Sequence, residues 1–141
     1  MSDSQRARIF RTEYRVPYAD TDAGGVVYYG SYLRFFEIGR TELIRDAGFS
    51  VREFAGKGLL FPVVNVTVNY KTPAVYDDLL RIETGVTAVG RTSVTFASKV
   101  FRAEDAVLLV EGEVTIVCVD DGLKPKRMPV EIRSVLGEVR K

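Results

Sequence analysis

At 141 residues, with 20 Lys and Arg against 19 Asp and Glu, the chain is nearly neutral and long enough for one domain with a sizeable core. That balance excludes the basic footprint of bulk nucleic-acid or membrane-surface binding, and the absence of histidine excludes Ser-His-Asp and Cys-His catalysis and histidine-based zinc sites. One cysteine, Cys118, excludes an internal disulfide, no apolar run approaches the roughly 18 residues of a membrane span, and the segment Met1 to Arg6 lacks a signal-peptide core. The expectation is a single cytoplasmic domain over residues 1–141, with no metal, no nucleic-acid partner and no stable membrane insertion.

From Arg11 to Tyr18 the chain alternates, with Thr12, Tyr14, Val16 and Tyr18 on one side and Arg11, Glu13 and Arg15 on the other, which predicts a half-buried strand. An Asp- and Gly-rich loop follows, and then the period changes. Tyr32, Phe35, Phe36, Gly39, Leu43, Ile44 and Ala47 recur at three- and four-residue steps and predict an amphipathic helix of about 16 residues, roughly 25 Å long. Ser31 is its expected N-cap and Gly48 its expected C′ residue, with weak pairs at Arg34/Glu37 and Glu42/Arg45. Gly39 costs about 1 kcal/mol relative to Ala inside a helix, which suggests close packing there.

A short turn or helix over Val51 to Gly58 leads into strands only: three alternating runs, Val64 to Tyr70, Leu80 to Val86 and Val94 to Val100, and a long run from Ala106 to Val119. Asp120-Asp121-Gly122 stops the last, and a basic, proline-broken tail, Lys124 to Pro129, precedes a short helix. Hairpin links between the later strands favour an antiparallel sheet wrapped around the one long helix, an α+β fold whose free edges a second copy can cover.

The loop before the helix carries the chemistry. Tyr18-Ala-Asp20-Thr-Asp22-Ala-Gly24-Gly25-Val26-Val27-Tyr28-Tyr29-Gly30-Ser31-Tyr32 sets two acids and a Gly-Gly step against a helix N-terminus. Unpaired N–H groups and partial positive charge at that terminus suit a developing oxyanion, and a glycine turn can carry a carboxylate back to the same volume. The plain alternative is that Asp20 and Asp22 only bond the turn or cap the helix. Asp20 reads as structural. Gly24 and Gly25 fit positive φ or close approach to a ligand, and Val26 and Val27 fit core or acyl-pocket lining. Tyr18 and Tyr32 read as packing, and Cys118 as a small core hydrophobe.

The stretch from Tyr18 to Glu42, with a second block Val68-Asn-Tyr70-Lys-Thr-Pro73-Ala-Val-Tyr-Asp77-Asp78-Leu-Leu, resembles the hot-dog-fold acyl-CoA thioesterases. The likeness is to the 4-hydroxybenzoyl-CoA thioesterase-like group that includes the Tol–Pal-cluster thioesterases. It implies a hot-dog fold, an antiparallel sheet of about five strands around a central helix, and hydrolysis of acyl-CoA to free acid and coenzyme A without a cofactor. By that resemblance Asp22 is the catalytic carboxylate, as nucleophile or general base, and a backbone N–H at or near Tyr29 is the oxyanion donor. The Tyr29 phenol as a partner of Asp22 is the other reading of that residue. Gly25, Val26 and Arg91 are the expected substrate-binding residues, Arg91 at a place where relatives contact the nucleotide, with Lys124, Lys126 and Arg127 as the one dense basic cluster.

Tol–Pal-cluster members usually carry a histidine where this chain has Tyr29, so any assistance from that histidine is absent or comes from Tyr29 here. The resemblance also implies a homodimer or a homotetramer, a dimer of dimers, with ligands at the subunit interface. Phe35, Phe36, Phe61, Val63, Val64 and the partner chain are expected to shape the pocket. The alternative functions are a non-catalytic acyl-CoA binder, a protein-interaction module beside an envelope complex, and a hot-dog hydratase, the last disfavoured by the missing histidine.

Overall fold

The computed structural model describes residues 9–139. Five strands, β1 (Phe10–Arg15), β2 (Val63–Tyr70), β3 (Leu79–Val89), β4 (Ser93–Arg102) and β5 (Leu108–Val117), form one sheet in the order β1-β3-β4-β5-β2. Every neighbouring pair is antiparallel. Three helices accompany it, α1 (Ser31–Asp46), α2 (Val51–Gly56) and α3 (Val130–Val139). None among the described residues is long and apolar enough to cross a membrane.

Period-two alternation puts Leu80, Ile82, Thr84 and Val86 of β3 and Val94, Phe96, Ser98 and Val100 of β4 on the covered face. The long helix covers that face with the stripe predicted for it. Tyr32, Phe35, Phe36, Gly39, Leu43 and Ile44 are all buried, and rings such as Phe35 and Phe36 contribute about 1.5–3 kcal/mol each by leaving water. Gly39 is there because of proximity: a Cβ would overlap Thr84 Oγ1 and lie 2.9 Å from Ile82 Cγ2.

Helix α1 ends in a Schellman turn, with Gly48 at φ +99°, its N–H on Arg45 O (2.9 Å) and Phe49 N–H on Ile44 O (3.1 Å). Its beginning differs from expectation. Gly30 occupies the N-cap without a side-chain bond, and Ser31 is the first helical residue, because the Tyr28 carbonyl takes the Ser31 N–H (2.9 Å) and already turns the chain. Glu42 pairs with Arg45 as expected, whereas Arg34 leaves Glu37 for Asp20, a buried carboxylate in greater need of a cation. Tyr18 is also corrected: it follows the strand, in a single 3-10 turn over Tyr18–Asp20, and stands 77% exposed with its ring edge-on to Tyr76 at 5.7 Å.

The position of β2 matters most for the site. Its predicted alternation exists in sequence, yet it pairs only with β5 at the end of the sheet, so Val63, Val64 and Val66 stay exposed on an apolar open edge.

Candidate active site

Residues 20–28 fold back on themselves as a small hairpin. Thr21 bridges Val27, Tyr28 N–H donates to Asp20 O (2.8 Å) and Asp22 N–H to Val26 O (2.9 Å). The reversal is a three-residue turn closed by Gly25 N–H on Asp22 O (3.0 Å), with Gly25 at φ +84°, a conformation that favours glycine. Behind the hairpin, Val27 N–H donates to Ala74 O (2.8 Å) and Val26 bridges Val75. Residues 73–78 are held in turn by Asp78, which accepts from Val75 N–H (3.0 Å) and Arg102 Nε (3.3 Å).

The two acids part company. Asp20 is buried and accepts from the Tyr14 hydroxyl (2.8 Å) and the Arg34 guanidinium, so its oxygens are committed to holding the loop against β1 and α1. Asp22 is exposed: Oδ1 accepts from Gly24 N–H (2.8 Å), and Oδ2 has no partner among the described residues. Gly24 keeps room for this, since a Cβ there would stand 3.2 Å from Asp22 Oδ1.

Tyr29 sits between hairpin and helix, and its N–H takes no acceptor among the described residues. Its carbonyl is engaged, accepting from the Tyr70 hydroxyl (2.9 Å), which ties the helix entrance to the C-terminal end of β2. The sequence reading assigned Tyr70 no role; its place at the end of an alternating strand gave no sign of what lay opposite. Tyr32 is buried and its hydroxyl accepts from Ala74 N–H (3.0 Å). Together Val27, Tyr29, Tyr32, Tyr70, Lys71 and Pro73 line a groove of about 220 Å³.

Tyr28, Tyr32 and Tyr70 keep their phenolic protons at neutral pH. Burial pushes Tyr32 and Tyr70 above the ordinary tyrosine range, and the neighbouring Tyr29 hydroxyl does the same to Tyr28. Their hydroxyls therefore act as neutral hydrogen-bond donors and acceptors.

Gly25 and Val26 belong to the Asp22 hairpin, but Arg91 does not join it. Arg91 lies in the β3–β4 turn, at the far end of the eleven-residue β3 and thus about 33 Å along the sheet from the end where β1 enters the hairpin. There it meets the basic tail, since Met128 N–H donates to Arg91 O (2.7 Å), so Arg91, Lys126 and Arg127 form one exposed group. Phe35 and Phe36 are core rather than pocket lining, being fully covered by the sheet.

The thioesterase superfamily matches residues 24–109 of this chain. The acyl-CoA thioester hydrolase YbgC of Escherichia coli is 42% identical over 133 residues, covering 94% of this chain and 96% of that protein. The acyl-CoA thioesterase YbgC of Haemophilus influenzae is 36% identical, covering 93% and 96%. Among solved structures, the DHNA-CoA thioesterase of Staphylococcus aureus superposes with a TM-score of 0.89 at 28% identity, over 93% of this chain and 90% of that one. The sheet order, the single long helix across one face and these relatives agree with the likeness carried by the Asp22 segment: the chain belongs to the thioesterase superfamily of hot-dog-fold enzymes.

Proposed function

We propose that the protein hydrolyses acyl-CoA thioesters to free acid and coenzyme A, as one domain over residues 1–141, with Asp22 as the reacting carboxylate and the Tyr29 N–H as oxyanion donor. The observation that carries this is that the short hairpin presents a carboxylate oxygen, and the helix entrance directly after it an N–H, that the rest of the described chain leaves unused. The names of the YbgC relatives support acyl-CoA as the substrate class. Asp22 Oδ2 attacks the thioester carbon, or takes a proton from the water that does. The carbonyl oxygen gains negative charge opposite the Tyr29 N–H, the thiolate leaves and is protonated by solvent, and water supplies the oxygen of the product acid. A thiolate is a good leaving group, so the missing histidine does not stop the reaction.

The working unit is a homodimer joined through the β2 edges. Tyr70 binds the Tyr29 carbonyl at one end of β2, while Arg91 and the basic tail lie at its Val63 end, because Val63 pairs with Ile116 and Ser93 with Val117. Antiparallel pairing of two β2 strands sets the Tyr70 end of one beside the Val63 end of the other. Arg91 and Arg127 of the partner subunit then approach the Asp22 hairpin and supply cations for the coenzyme A phosphates.

The test is thiol release from a panel of acyl-CoAs by the wild type and by Asp22→Asn. Loss of turnover with an intact fold supports the reading. Tight binding of acyl-CoA without any thiol release, across all chain lengths, favours the non-catalytic binder instead.

A further inference from the structure

At the other end of α1, between that helix, α2, α3 and the sheet, lies a cavity of about 370 Å³. Its wall is mostly apolar, including Ile44, Phe54, Phe61, Ile116, Ile132 and Leu136, and Arg40 and Glu37 are the two charged residues among the described lining. The Arg40 side chain is only 14% exposed and makes no hydrogen bond among the described residues. Its nearest acid, Glu37 Oε1, is 4.0 Å away on a side chain that is 64% exposed and so mostly answered by water. Burial lowers the Arg40 pKa and Glu37 opposes that only in part. Arg40 is thus a mostly buried guanidinium held by one long ion pair at the wall of a largely apolar cavity, and its donors keep capacity for a further anion.

We infer that this cavity is a binding site for a medium-chain aliphatic carboxylate, with the carboxylate on Arg40 and the chain against Phe54, Phe61 and Ile132. Both halves of the ligand are read from the wall: the charge from Arg40, whose partner Glu37 on the same wall is turned mostly to water, and the chain from the hydrocarbon around them. An acidic peptide or a nucleotide would bring further polar groups that these walls cannot satisfy. Ser31 and Arg40 are nine residues apart, about 14 Å along the helix, so within one chain the site is separate from the Asp22 hairpin. If the proposed hydrolysis is right, the ligand is its own product class; the binding itself does not depend on that reading.

Calorimetric titration of the full chain with octanoate, with octanol and with no thioester present tests the inference. Octanoate is expected to bind saturably, and octanol, which lacks the charge, at least about tenfold more weakly. Arg40→Met should weaken octanoate to the level of octanol, Arg40→Lys should retain part of the difference, and Asp22→Asn should leave octanoate binding as in the wild type. Equal affinities for octanoate and octanol, no saturable binding by the wild-type chain, or undiminished octanoate binding by Arg40→Met would overturn it. The comparison of the two ligands on wild-type protein decides the matter even if an Arg40 variant does not fold. Activity lost in Asp22→Asn alongside retained octanoate binding separates this site from the proposed catalytic one.

Discussion

The Gly24 N–H donates to Oδ1 of Asp22 at 2.8 Å, so the loop holds this carboxylate by one oxygen and leaves Oδ2 without a partner among the described residues. The plain turn-forming role of the aspartate and the proposed catalytic one therefore fall on different oxygens of the same group. Asp20, two residues earlier, has both oxygens occupied.

That contrast separates two substitutions. Asp22→Asn keeps an oxygen for Gly24 and should lower kcat about 10³-fold in thiol-release assays with little change in the urea midpoint. Asp20→Asn weakens the bonds to Tyr14 and Arg34 and should cost about 1–2 kcal/mol by urea unfolding, a figure held down because Arg34 is 44% exposed. Near-wild-type turnover in folded Asp22→Asn would refute the assignment.

The proposed dimer makes its own demand. Val66→Lys places a charge on the apolar β2 edge, where Val66 is 37% exposed in the single chain. Sedimentation should then show monomers, and activity should fall with the dimer fraction. Arg91→Ala should leave the dimer intact and raise KM for acyl-CoA about tenfold, with a smaller effect on kcat. A monomeric Val66→Lys with full activity would show that the site is complete in one chain.

Helix α1 meets β3 too closely for a side chain at Gly39. Gly39→Ala gains about 1 kcal/mol of helix propensity, yet its Cβ would overlap Thr84 Oγ1, and overpacking of this kind costs about 1–3 kcal/mol. Net destabilisation is expected. Thr84 Oγ1 is itself buried without a partner among the described residues, so Thr84→Val should be neutral or stabilising by urea unfolding.

Burial pushes the Cys118 thiol above its ordinary pKa. The folded chain thus holds this proton to higher pH than the unfolded chain does. The resulting stability is fully present below the unfolded thiol's pKa and declines as pH rises through the folded value. Ellman's reagent at mildly alkaline pH should leave the native thiol unmodified and label it once urea unfolds the chain, since the side chain is fully covered.

Sequence alone determined the local events. Alternation marked the strands, the three- and four-residue spacing marked α1 and its buried stripe, Gly48 marked its end, and the Asp22 segment pointed to the family. Each of these depends on neighbours within a turn or two, where backbone geometry and side-chain periodicity act directly. Tertiary structure alone decided that β2 lies outside β5, that Arg34 serves Asp20 instead of Glu37, that Tyr70 grips the Tyr29 carbonyl, and that Arg91 stands at the far end of the sheet from Asp22. Those outcomes rest on which distant surfaces meet and which buried charge most needs a partner, and no periodicity in the chain encodes them.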